Sequence, residues 1–185
     1  GGEHSSYWTN DYILLFNPTE SAIDLSTWSV QYAMFHSSNW YVINLSGSIA
    51  ASSYYFIQMG GGGAGRSPLP FTPDIVSNFN LNKIKGKIAL ANFQNAITGS
   101  NPVGQNGVLD FIGYGNGTNA FEGLGPAPQT STTESIRRKD NNGNNTYGIN
   151  GNGWDSNDNS LDFYLENNLI VNSPLPVELS SFSAI

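Results

Sequence analysis

Asp155, Asn157 and Asn159 stand at alternate positions, and Glu166 follows eleven residues after Asp155. That order copies the first, third, fifth and twelfth oxygen ligands of a helix-loop-helix calcium loop. The sixth position holds Ser160 where that loop needs glycine, and the following LDFYLE alternates as a strand where a helix should stand. Asp155, Asn157, Asp158 and Asp162 are therefore candidate ligands of a differently built, oxygen-rich calcium site. The competing reading is that short Asp and Asn side chains bond to turn backbone and tolerate left-handed conformations. Calcium is the one cofactor these residues would take, and the expectation from the whole chain is none.

Other chemistry is thinly represented. Gly60, Gly62 and Gly65 satisfy the spacing of a dinucleotide-binding turn, but RSPLPFTP follows and its prolines forbid the helix that would hold a pyrophosphate. His4 and His36 have no second histidine at helical spacing, no serine sits in a nucleophile elbow, and there is no cysteine. No catalytic residue is expected. Trp8, Trp40 and Tyr41, if exposed, could stack on sugars, and Trp154 is an aromatic anchor or ligand contact inside the Asn/Gly-rich stretch 140–160. Arg137, Arg138 and Lys139 form the one basic cluster, and strand alternation lets at most two share a surface.

Charge narrows the partners. Seven Lys and Arg against fourteen Asp and Glu leave a net charge of -7, the wrong sign for neutralising several phosphates, so no nucleic-acid binding is expected at physiological salt. No apolar run approaches the ~20 residues of a membrane span. Only 11% of the 185 residues are charged while aromatics are plentiful, a composition of uncharged, turn-rich β proteins outside the cell.

The elements that must position these residues read as short strands. Eight runs of alternating, β-branched or aromatic sequence, at 11–16, 27–33, 40–45, 53–59, 87–93, 108–115, 134–139 and 161–166, are bounded by Gly, Pro and Asn. Trp28, Val30 and Tyr32 share one parity, as do Tyr41, Ile43 and Leu45, so they are core candidates. The expectation is an all-β β-sandwich of about eight strands over residues 1–172. Residues 173–185 read as a linker or the start of a following domain, because two prolines precede a new alternating run at Val177, Leu179 and Phe182.

Six segments in order, DYILLFNPTESAIDLSTWSVQYA, LSGSIAASSYYFIQ, TPDIVSNFNLNKIKGKIALAN, VLDFIGYGNGTNAFEG, GPAPQTSTTESIRRK and DSNDNSLDF, resemble the lamin tail domain in its bacterial, secreted form. The stretch NNGNNTYGINGNGW stands as an expansion between the basic strand and the DF ending. The resemblance implies an immunoglobulin-like fold and a non-catalytic accessory or adhesion module of a larger extracellular or cell-surface protein, with protein or glycan partners. The tail LPVELSSFSA is similar to the boundary segment of type IX secretion substrates. The rival readings are a calcium-stabilised carbohydrate-binding module and, more remotely, part of a secreted hydrolase or nuclease.

Overall fold

The computed structural model describes residues 6–61, 67–145 and 152–167. His4, Gly62, Gly65 and the segment 173–185 lie outside them. Among the described residues eleven strands and one helical turn follow in order: β1 Tyr12–Phe16, β2 Ile23–Asp24, β3 Ser29–Met34, β4 Tyr41–Asn44, β5 Ser48–Ile49, β6 Tyr54–Gln58, β7 Ile75–Val76, β8 Gly86–Ala91, β9 Val108–Tyr114, β10 Glu134–Arg138, α1 Asn159–Asp162 and β11 Phe163–Asn167. The fold is an all-β sandwich. The expected eight strands become eleven because β2, β5 and β7 have two residues each, too few to show alternation. The run expected at 161–166 is corrected too, since its first residues close a helical turn capped by Asp158 and the strand starts at Phe163.

One layer is the antiparallel sheet β4-β3-β8-β9. Its register pairs Val30 with Ile43 and Leu90, and Tyr32 with Tyr41 and Ile88, so the two parities read from the sequence share one face. The second layer lies over that face in two separate pieces. The sheet β1-β6-β7 packs there through Ile13, Leu15, Tyr55 and Ile57. The hairpin β10-β11 packs beside it through Ile136 and Phe163, against Ile88, Ile112 and Tyr114.

The opposite face of the four-stranded sheet is covered by the segments that follow β8 and β9. Ala33, Ala89 and Phe111 pack there with Trp40, Ile97 and Ala120. Lys87 lies on this face and is fully buried. Its Nζ donates to the carbonyls of Ser37 and Ser100 at 2.7 Å each and to Asn119 Oδ1 at 2.9 Å. Three donors meet three acceptors, which is what a buried ammonium requires.

Candidate functional site

The second layer is interrupted between β1 and β10. β1 pairs with β6 on one side, β10 pairs with β11 on one side, and no strand of the described residues lies between them. The gap is a cavity of about 540 Å³, walled by β1 and by residues 130–138 and floored by Val30, Ile88, Leu90 and Ile112. Its effect on burial runs against the alternation rule. On β8 the residues facing the sandwich interior, Ile88 and Leu90, are only half-buried, whereas Lys87, Ala89 and Ala91 on the other face are fully buried. Apolar side chains that should be the centre of the core are the floor of an open slot.

Both walls of the slot present strand edges. Asp11 exchanges hydrogen bonds with Met59 and Gly60, and Asn17 donates to Ser53. By the alternation of an antiparallel ladder, the backbone groups of Tyr12, Leu14 and Phe16 point away from β6 into the slot. Lys139 donates to Asp162, so Glu134, Ile136 and Arg138 turn their backbone groups away from β11 in the same way. The carbonyl of Arg138 is met by Asn152 Nδ2 at 2.8 Å, and Gly153 sits against Pro18 and Phe16, which closes one end. Tyr12 reaches across the slot to the Ser135 side chain, and burial raises its phenol above the ordinary value. Among the described residues no further partner meets the outward backbone groups of Leu14 and Ile136.

Of the candidate calcium ligands only Asp155 lines the slot, and the carboxylates of Asp155, Asp158 and Asp162 are engaged by the protein itself. Asp158 caps α1, accepting from the Ser160 amide and hydroxyl through Oδ1 and from the Leu124 amide through Oδ2. The Ser160 hydroxyl, then Leu124 N–H, hold its carboxyl below the usual range. Asp162 is fully buried and accepts from Ser156 N and Oγ and from Asp158 N. Asp155 Oδ1 accepts from Asn157 N at 3.0 Å, and Asn157 has a left-handed φ of 58°, the conformation its short polar side chain tolerates. Asp158→Ala removes a helix cap and the partner of the Leu124 amide. Gly123, at φ 73°, leaves the room Asp158 occupies, since a Cβ there would fall 2.4 Å from the carboxyl carbon.

Among the described residues no group of three or more His, Asp or Glu side chains is placed to hold a metal. Calcium at ~1 mM is expected to move the melting temperature by less than ~2 °C relative to chelator. A ~10 μM site would add about 2.7 kcal/mol, or roughly 5–11 °C. A rise of that size, lost in Asp155→Ala or Asp162→Ala, would reinstate the metal site.

Arg137 and Arg138 of the basic cluster are likewise committed. Arg137 Nε lies 2.7 Å from Glu166, and Arg138 Nη2 grips both oxygens of Asp110 at 2.6 and 2.7 Å. Arg138 Nη1 stands 3.5 Å from Asp155 and 3.8 Å from Asp162, and the guanidinium lies over the Phe163 ring at 4.4 Å. Asp110 and Glu122 also line a second cavity of about 340 Å³ together with Asn157. Burial, and then the charges of Asp110 and Asp155, push Glu122 up to about 7. A raised carboxyl contributes stability that is complete below its unfolded value and is lost as pH rises through the folded one. The domain should therefore lose stability between about pH 4.5 and 7 on this account. Glu122→Gln keeps an acceptor for Asn159 Nδ2 and removes the titration. It is expected to melt higher than the parent at pH 8 and to converge with it near pH 5; parallel profiles would refute this.

The aromatic candidates separate. Trp40 is buried, its indole donating to the Gly99 carbonyl at 2.8 Å, so it is a core residue and offers no sugar platform. Tyr41 is exposed and packs on Phe79 with ring centroids 4.7 Å apart. Trp8 is half-buried, edge-on to Tyr7, and lines the slot. Trp154 is partly exposed and lies against the turn at Gly143. His36 Nε2 meets the Gly117 carbonyl at 2.9 Å, with no acid beside it among the described contacts. Sequence reasoning missed Lys87, the slot and the bridging role of Asn159. Asn159 is fully buried and joins Gly113, Phe111 and Glu122 through both ends of its amide.

No protein-family model matches this chain, and no curated protein matches it. No helix of the described residues is long and apolar enough to cross a membrane.

Proposed function

We propose that the chain is a non-catalytic interaction module of a larger secreted or cell-surface bacterial protein, a lamin-tail-like, immunoglobulin-like sandwich that takes an extended polypeptide segment into the slot between β1 and β10. The observation that carries this reading is the interrupted second layer, with its two open strand edges above Ile88, Leu90 and Ile112. An extended peptide supplies what those surfaces lack: main-chain donors and acceptors along both edges, and alternate apolar side chains for the floor. A glycan offers hydroxyl groups but no apolar row at strand spacing. The carbohydrate reading retains Tyr41 as its exposed stacking surface and gains no support from Trp40. The secreted, lamin-tail and type IX parts of this reading rest on the sequence resemblance.

The test is amide exchange at Leu14 and Ile136 in the full chain, with an octapeptide of alternating Thr and Val as probe. The peptide at ~1 mM should slow both amides, while a soluble oligosaccharide at the same concentration should leave them unchanged. Protection of these amides by the oligosaccharide would overturn the polypeptide reading.

A further inference from the structure

β11 ends at Asn167, the register partner of Glu134 at the start of β10, and Glu134 lines the slot. Eighteen residues follow Asn167, and after Pro174 and Pro176 they alternate as Val177, Glu178, Leu179 and Ser180. This run is a strand signal of the sequence that the eleven strands do not use. We propose that Val177–Phe182 is the strand that fills the slot between β1 and β10, completing the second layer within the same chain. The proposal rests on the slot being a site for extended polypeptide, and it names the occupant.

Reach and chemistry both fit. Nine residues lie between Asn167 and Val177, and the ten steps from one to the other span up to ~33 Å at ~3.3 Å each. Passing from the far side of β10 into the slot takes about two strand spacings, ~10 Å. Val177, Leu179 and Ser181 share one face of a strand and would lie on Ile88, Leu90 and Ile112, with Glu178, Ser180 and Phe182 on the outer face. Both prolines precede the run, so every residue from 177 to 182 keeps the N–H a ladder needs. Tethering does the rest. A short linker gives an effective concentration of ~1 mM, so a segment that binds with a Kd of ~100 μM when free occupies about nine-tenths of the slots when attached. A partner's strand would have to displace it, which sets a threshold for recruitment.

The experiment again reads amide exchange at Leu14 and Ile136, comparing the full chain with full-length Val177→Asp/Leu179→Asp. Exchange should accelerate about 10-fold in the double variant, the change expected when nine-tenths occupancy is lost. Glu178→Lys, on the solvent side, should leave it slow, so a general effect of tail charge is separated from loss of the strand. Adding the peptide SPLPVELSSFSAI to the double variant should restore protection, and unchanged tryptophan fluorescence would show that the sandwich itself is intact. Equal exchange in the full chain and the double variant overturns the proposal. In that case, protection of both amides by the alternating Thr/Val octapeptide would leave the slot a polypeptide site with another occupant. Failure of every peptide to protect them would remove both readings.

Discussion

Lys87→Met should lower the melting temperature by roughly 6–12 °C, the equivalent of about 3 kcal/mol in a domain of this size. Methionine matches the length of the lysine stem, so the change removes the ammonium while largely conserving volume. Three acceptors lose their donor at once: the carbonyls of Ser37 and Ser100 and Asn119 Oδ1. Each would cost about 1–3 kcal/mol if fully buried, and partial access to water brings the total toward the low end. These acceptors belong to three separate segments that cover the outer face of the four-stranded sheet. Asn119→Ala, which removes one acceptor of the three, should cost about a third as much. Thermal unfolding followed by circular dichroism decides it, and a fall of less than ~2 °C for Lys87→Met would mean that water replaces the ammonium without penalty.

Lys87 also marks where sequence pattern stops being informative. In KIALANF a lysine opens the strand and alternates with Ala89 and Ala91, which reads as the solvent face of a half-buried sheet. The loops after β8 and β9 cover that face, and no local pattern announces a covering loop sixty residues from the strand it covers, as Gln31 and Ile97 show by their contact across 66 positions. Ile88 and Leu90 mislead in the opposite sense. Their types and parity say core, and they do face the interior, yet the layer above them is broken. The parts legible in the sequence were those decided by neighbours along one strand. Trp28, Val30 and Tyr32 aligned with Tyr41, Ile43 and Leu45 because side-chain period and hairpin register settle together. The Asp-rich stretch was half legible: its acids do serve backbone, but Asp158 meets Leu124, and Arg138 meets Asp110, only through the fold.

Arg138 is the clearest case of a charge whose worth lies in such distant partners, and Arg138→Met should cost about 3 kcal/mol, again roughly 6–12 °C. The guanidinium is largely buried, holds Asp110 with Nη2, donates Nη1 to the Trp154 carbonyl, and stands near Asp155 and the fully buried Asp162. Replacing it leaves several carboxylates facing one another with no cation between them. The lower end of the range for breaking a buried pair applies, because Asp110 is about one-third exposed and is screened by water. Arg138→Lys keeps the charge but cannot grip two oxygens while also meeting a carbonyl, and should lose about half as much. The decisive feature is pH. Without the cation the carboxyls of Asp110 and Glu122, already raised by burial, take up protons more readily when folded, so the variant binds more protons than its unfolded chain across the acid range. Its stability therefore recovers as pH falls, and the gap from the parent narrows between pH 8 and pH 5. Melting curves of parent, Arg138→Lys and Arg138→Met at both pH values measure this. A gap that stays constant with pH would show that Arg138 acts through packing on Phe163 rather than through its charge.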